Sequence, residues 1–167
     1  MQKAEHPQPN ASEPGASFWT RGGGWVLAQF LVMVGWLVIT PIGHRPTDSV
    51  LLLGLAAILI VLGAIIGISG VHALGRNRTP FPMPRESGQM VCEGIYRFVR
   101  HPLYASLIAL AFGWACLWRS ELGFGLAVVQ ALLLDAKARR EERWLRAKFP
   151  EYAGYARRVA RLVPWIY

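Results

Sequence analysis

The sequence predicts an all-α integral membrane protein with about four transmembrane helices, and three observations carry that expectation. Hydrophobic residues fill 53% of the 167 positions and charged residues only 17%, where a soluble domain carries about 25% charged. The apolar residues gather into long uncharged runs instead of recurring at helical spacing, as in a chain whose solvent is lipid. The basic residues behind the formal charge of +8 flank those runs, where cytoplasmic loops place them. That placement favours membrane lipids as partners and argues against nucleic acid.

Residues 1–20 are polar and rich in Pro, Ser and Gly. They read as a flexible tail without the apolar core of a secretory signal, and residues 21–167 as one membrane domain. No acidic or basic side chain apart from His44 lies between Arg21 and Arg45, which sets a first span at about 25–41. After the polar turn His44-Arg45-Pro46-Thr47-Asp48, an uncharged run rich in Leu, Ile, Ala and Gly gives a second span at 49–72. Neither interior holds an ionisable residue, so both spans read as scaffold.

Residues 72–101 change character. In Arg78-Thr79-Pro80-Phe81-Pro82-Met83-Pro84, alternate prolines remove donors and push their neighbours toward extended geometry, which excludes helix. Gly88 and Gly94 add turns, and so long a loop is more often functional than decorative. A third span follows at 102–118, and Arg119-Ser120-Glu121 turns the chain into a fourth at 122–136. That last apolar run is too short to cross alone, so one helix is expected to continue from it through Lys148. Beyond it, Tyr152, Tyr155, Val159, Leu162 and Trp165 alternate with arginines, as in an amphipathic segment on a membrane surface. Two Lys/Arg residues precede the first span, five lie in the central loop and nine from Lys137 onward, while the two opposite turns hold one each. The positive-inside rule then puts both termini and the Pro-rich loop in the cytoplasm. Two cysteines make no disulfide framework, and the scattered histidines give no metal site.

Three features could carry chemistry on that side. In Arg100-His101-Pro102-Leu103-Tyr104, proline starts a helix whose amides and dipole favour an anion, with Arg100 adding charge and His101 and Tyr104 adding directed hydrogen bonds. On the fourth helix, Glu141 shares a stripe with Leu134, Ala138 and Leu145, whereas Glu142 falls with Asp135, Arg139 and Arg146 on a charged face. Glu142 is therefore expected to be solvated and paired with Arg146. Glu141 points with the apolar residues and is the functional candidate, a pair with Lys137 being its bland alternative. The stretch Met90-Val91-Cys92-Glu93-Gly94-Ile95-Tyr96 is weak by itself.

Together, Met90-Val91-x-x-Gly94-x-Tyr96, Val99-Arg100-His101-Pro102-x-Tyr104, Arg140-Glu141-Glu142-x-x-Leu145, Tyr152-x-x-Tyr155, Val159 and Pro164 resemble the isoprenylcysteine carboxyl methyltransferases. The related phospholipid N-methyltransferases share the Arg-His-Pro-x-Tyr block and the paired glutamates. The resemblance covers about residues 76–165. It implies S-adenosylmethionine as methyl donor, bound at the cytoplasmic membrane face between residues 76–104 and 137–165. Met90, Val91 and Tyr96 would line that pocket, His101, Pro102, Leu103 and Tyr104 would hold the donor at the helix start, and Glu141 would bind its polar end. Lys137 falls where eukaryotic carboxyl methyltransferases place an arginine that meets the substrate carboxylate, with a point charge in place of a bidentate fork. The implied acceptor is a lipophilic small molecule or lipid bearing a carboxylate, amine or thiol. His101 becomes a candidate catalytic group for an amine, which must arrive neutral. The competing readings are a membrane-embedded NADPH-dependent reductase, and a four-helix transporter or assembly subunit, which should carry a carboxylate inside a span.

Overall fold

The computed structural model describes residues 17–84, 87–164 and 166–167. It is all-helical, with no strand among the described residues and a single isolated bridge between Val99 and Ala160. The helices are α1 (Gly23–Ile39), α2 (Val50–Leu74), α3 (Pro102–Trp118), α4 (Glu121–Lys148) and α5 (Tyr152–Arg158). Short 3₁₀ turns at Gly75–Asn77 and Gly94–Arg97 bracket the Pro-rich segment, which is not helical.

Only α2, extended by its 3₁₀ turn to Val50–Asn77, is by itself long and apolar enough to cross a bilayer among the described residues, with a mean hydropathy of 3.0. α1 and α3 are apolar but have 17 residues each, about 26 Å at 1.5 Å per residue. That falls a little short of a hydrocarbon core of about 30 Å. α4 is 28 residues long but charged from Asp135 onward, so its apolar and polar halves form one continuous helix, as expected. Its start is built locally. Arg119 turns left-handed at φ 50°, and the buried Ser120 hydroxyl caps the helix by accepting from Gly123 N at 3.1 Å, satisfying a donor no helical carbonyl can reach.

α2 and α3 run antiparallel in close contact because glycine removes the bulk between them. A Cβ on Gly67 would lie 2.5 Å from Ser106 Oγ, and one on Gly113 2.8 Å from the Ile60 side chain. Ser106 adds a hydrogen bond to Gly63 O at 2.7 Å, a polar tie between apolar helices of the kind membrane bundles use. α4 packs along α3 and α1, with Ala111, Ala127 and Trp36 forming the buried contact. The outward faces of α1 and α2 stay apolar, with Leu31 60% and Leu51 82% exposed.

Two expectations about the ends change. The tail expected over residues 1–20 lies mostly outside the described residues, but Ser17–Gly22 form a hydrogen-bonded turn, with Phe18 edge-on to Phe81 at 5.6 Å. The C-terminal amphipathic segment folds onto the protein. Tyr152, Tyr155 and Leu162 are buried, because the Tyr155 hydroxyl donates to Tyr96 O at 2.6 Å and the amides of Arg100 and His101 donate to Ala160 O and Arg161 O. Trp165 is outside the described residues.

Candidate functional site

The fold brings the start of α3, the loop before it and the charged half of α4 to one end. Pro102 is the first residue of α3 and is buried. It supplies no donor where none would be paired, and it fixes His101 in the bend that precedes the helix. The His101 ring stacks on Tyr104, centroids 5.3 Å apart and planes 1° from parallel. It lies between the paired glutamates, Nδ1 3.7 Å from Glu141 Oε2 and Nε2 3.4 Å from Glu142 Oε1, without hydrogen-bond geometry at Nε2.

The two glutamates do different things. Tyr104 donates to Glu141 Oε2 at 2.7 Å, and the Glu141 side chain is 27% exposed. Glu142, expected on a solvated face, is 1% exposed. Its carboxylate accepts from Arg100 Nε at 3.0 Å, Arg161 Nε at 3.1 Å and Arg146 Nη2 at 3.0 Å. The i,i+4 pair with Arg146 is therefore present, but inside a larger cluster. Burial alone would push the Glu142 carboxyl up; His101, Arg161 and Arg100 more than offset it and hold the group well below the usual carboxylate range. The expectation fails because periodicity describes α4 alone. The face is covered by the chain before α3 and by the returning C-terminus. Arg100 belongs to the same cluster while also lining the cavity described below. Its guanidinium also donates to Ala156 O and Val159 O, so it ties the C-terminal segment to the start of α3.

A first cavity opens at this end. It is lined by Met90, Val91, Tyr96, Arg100, His101, Leu103, Tyr104 and Glu141, every residue expected at the donor site except Pro102, which sits behind the cavity as the helix start. The sequence reading did not assign Asn77, Gln89, Phe149, Tyr152 and Tyr155 to the wall. The tyrosine pair stood in the motif pattern, and Asn77 is tied to Gln89 N at 3.0 Å by a contact no spacing foretells. Burial pushes the Tyr96, Tyr152 and Tyr155 hydroxyls up, so all stay neutral. The enclosed volume is about 120 Å³, less than the roughly 300–1,000 Å³ usual for ligand pockets. A ligand of ordinary size would fill it and extend into the open mouth.

A second cavity of about 610 Å³ lies on the other side of Tyr104, between α2, α3 and α4. Leu103, Tyr104 and Thr79 line both. Its wall is largely aliphatic, including Ile68, Val71, Leu107 and Leu110, with Gln29, His72, Ser106 and Lys137 as polar members. Lys137 is 2% exposed. Its ammonium donates to Gln29 Oε1 at 2.6 Å and Pro80 O at 2.9 Å, not to Glu141. Both partners are neutral, and burial lowers its pKa to about 8, only partly offset by Glu141.

The comparisons with known proteins agree with this architecture. The phospholipid methyltransferase family model matches residues 51–152, from α2 through the start of α5. The cobalt-zinc-cadmium resistance protein CzcN of Cupriavidus metallidurans is 36% identical over 146 residues, 86% of this chain and 63% of that protein. The nickel-cobalt-cadmium resistance protein NccN of Alcaligenes xylosoxydans xylosoxydans is 31% identical over 162 residues, 95% of this chain and 72% of that protein. Protein-S-isoprenylcysteine O-methyltransferase B of Arabidopsis thaliana is 29% identical over 112 residues, 65% of this chain and 57% of that enzyme. The chain thus spans a little under two thirds of CzcN. The matched region holds the start of α3, the paired glutamates and most of the walls of both cavities, all but Gln29 and Tyr155, and the chain belongs to the phospholipid methyltransferase family of membrane-associated methyltransferases, to which isoprenylcysteine methyltransferases are related.

Proposed function

We propose that the protein transfers a methyl group from S-adenosylmethionine to a lipophilic acceptor at the cytoplasmic face of a membrane. The observation that carries the reading is the pair of cavities meeting at Leu103 and Tyr104, one tyrosine-lined with a carboxylate, the other largely aliphatic with a buried lysine in its wall. In this reading α1 to α3 and the apolar half of α4 make four spans, with both termini in the cytoplasm. The first cavity suits the donor by the chemistry of its groups. Glu141 offers a counter-charge to an ammonium or sulfonium, the Tyr96 ring offers a π face to a cation, and Met90, Val91, Leu145 and Phe149 give apolar wall. When bound, the donor supplies an electrophilic methyl group whose transfer breaks the S–CH₃ bond and leaves its electron pair on sulfur. The chain's task is to hold the reactants in line, and Tyr104, fixed by its hydrogen bond to Glu141, stands between the two chambers.

The second cavity suits the acceptor. Its aliphatic walls take a hydrocarbon tail, and Lys137 meets the polar end without a carboxylate partner of its own. An anionic acceptor, carboxylate or thiolate, needs no protein base. For an amine, His101 is the group beside the reaction chamber able to take a proton. The test is equilibrium binding of S-adenosylmethionine and NADPH to the purified protein, followed by transfer of labelled methyl into a membrane lipid extract. Saturable binding of the methyl donor with label in an extractable lipophile supports the reading. Binding of NADPH in its place would point to the reductase.

A further inference from the structure

A third cleft, of about 340 Å³, lies apart from the two cavities, where the turn before α1 meets the Pro-rich segment and the charged half of α4. Arg21, Arg140 and Arg143 converge on it, with Trp19, Trp25 and Trp144 around them. Among the described residues none of these arginines has a carboxylate within ion-pair distance. The acids nearest in sequence are committed elsewhere, Glu141 to Tyr104 and Glu142 to Arg100, Arg146 and Arg161. Instead, Arg21 sits 4.4 Å from the Phe81 ring centroid and Arg140 5.6 Å from that of Trp144, contacts that orient a guanidinium without neutralising it.

The cleft is built, not incidental. Gly22 has a φ of 90° and lies so close to Pro82 that a Cβ there would come within 2.5 Å of its ring. Glycine at that position lets the arginine-bearing turn dock on the proline loop and bring Arg21 opposite α4. Three guanidinium groups in one cleft, without a carboxylate partner among the described residues, make a phosphate site, since arginine's planar fork matches phosphate oxygens. Tryptophans with one wet and one apolar side mark headgroup depth. Beyond the cleft, α1 exposes Leu27, Phe30 and Leu31 at 47%, 55% and 60%, an apolar track that acyl chains can follow and a free anion cannot use.

We propose that this cleft binds the phosphate headgroup of an anionic glycerophospholipid, independently of the methyl-transfer chambers. The experiment uses the full-length protein purified in a neutral detergent. Phosphatidylglycerol, phosphatidylcholine and inorganic phosphate are added separately, and retained adducts are counted by native mass spectrometry beside the thermal melt. Wild type should retain phosphatidylglycerol in roughly tenfold preference to phosphatidylcholine, given the strength of basic clusters for anionic lipid. Arg140→Gln/Arg143→Gln should abolish the preference, whereas Arg157→Gln/Arg158→Gln on α5, with the same loss of charge, should keep it. Arg143→Gln alone, at an exposed position, gives the same reading in reduced form if the double variant does not fold. Equal retention of both lipids overturns the proposal, as does an equal loss in the α5 variant, which would mean general charge attraction. Protection by inorganic phosphate matching that by phosphatidylglycerol would make the cleft a site for a free anion and overturn the lipid assignment.

Discussion

The cavity rim around Glu141 and the ionic cluster around Glu142 are built on consecutive residues of α4, yet they are opposite kinds of site. Glu141 has one tyrosine donor, a neighbouring histidine and access to a chamber. Glu142 has three arginines, the same histidine and almost no access to solvent. A shared sequence motif therefore contains one acid open to a chamber and one that holds the walls together. His101 lies between both carboxylates, so the integrity of the cluster sets the position of the ring that borders the chamber.

The largest expected effect comes from removing the acid in the cluster. Glu142→Ala leaves Arg100 without a counter-charge in a buried setting and Arg161 with Asp135 alone, at a cost of about 3–5 kcal/mol, and loosens the segment from Ala156 to Arg161. A detergent melt should show it directly, and a variant melting like wild type would remove the structural role from Glu142. The same carboxyl sets an acid limit. Its folded pKa lies below the unfolded value of about 4.3, so the folded state binds fewer protons than the unfolded one. Its contribution is fully present above that value and is lost as the pH falls below it. Wild type should lose melting temperature on acidification from pH 5 toward 3, and Glu142→Gln should lose less over the same range.

The complementary change sharpens the contrast. Glu141→Gln should melt within a few degrees of wild type but bind the methyl donor roughly tenfold or more weakly, since a hydrogen bond to a charged group is worth about 1.5–3 kcal/mol. Titration calorimetry beside the melt separates the two effects. If both glutamine variants lost affinity equally with unchanged melts, the division between rim and cluster would be wrong.

How far the sequence could show this depends on the range of the interactions. The start of α3 was legible because Pro102 signals a first helical turn by itself, and α4 was legible through Lys148 because its helical stretch outlasts its apolar run. The residues of the first cavity were legible through an ordered pattern of motifs. The burial of Glu142 was not, because it depends on a C-terminal segment that returns to lie beside Val99 and Arg100, about 60 residues away in sequence. The environment of Lys137 was equally hidden. It is made by Gln29, 108 residues earlier, and by a proline carbonyl at position 80, and no periodicity along α4 contains either.

A moderate effect is expected at Lys137, on the acceptor side alone. With its pKa lowered to about 8 by burial, the ammonium is charged below that pH and neutral above it. Attraction for an anionic acceptor should therefore fade as the pH rises through 8. Under the proposed reading, KM for the acceptor rises over that window while donor affinity stays level. Lys137→Arg should carry the limb out of the accessible range, because guanidinium does not titrate there. A wild-type KM flat from pH 7 to 9 would assign Lys137 to packing.

The smallest effect tests whether the cavity wall and the ionic cluster are tied together. The Tyr155 hydroxyl donates to Tyr96 O and holds the short helix α5 against the turn that carries Tyr96 into the first cavity. Tyr155→Phe keeps the ring beside Tyr152, 5.7 Å away, and removes only the hydrogen bond. The loss should be about 1 kcal/mol, much less than for Glu142→Ala, because Arg100 still holds the segment at Ala156 and Val159. If the two sites are separable, the Tyr155→Phe and Glu141→Gln effects on donor affinity should add in a double-mutant cycle. A coupling above about 0.5 kcal/mol would show that α5 positions the rim through Tyr96, and the boundary between holding and binding would then run through the tyrosines and not between the glutamates.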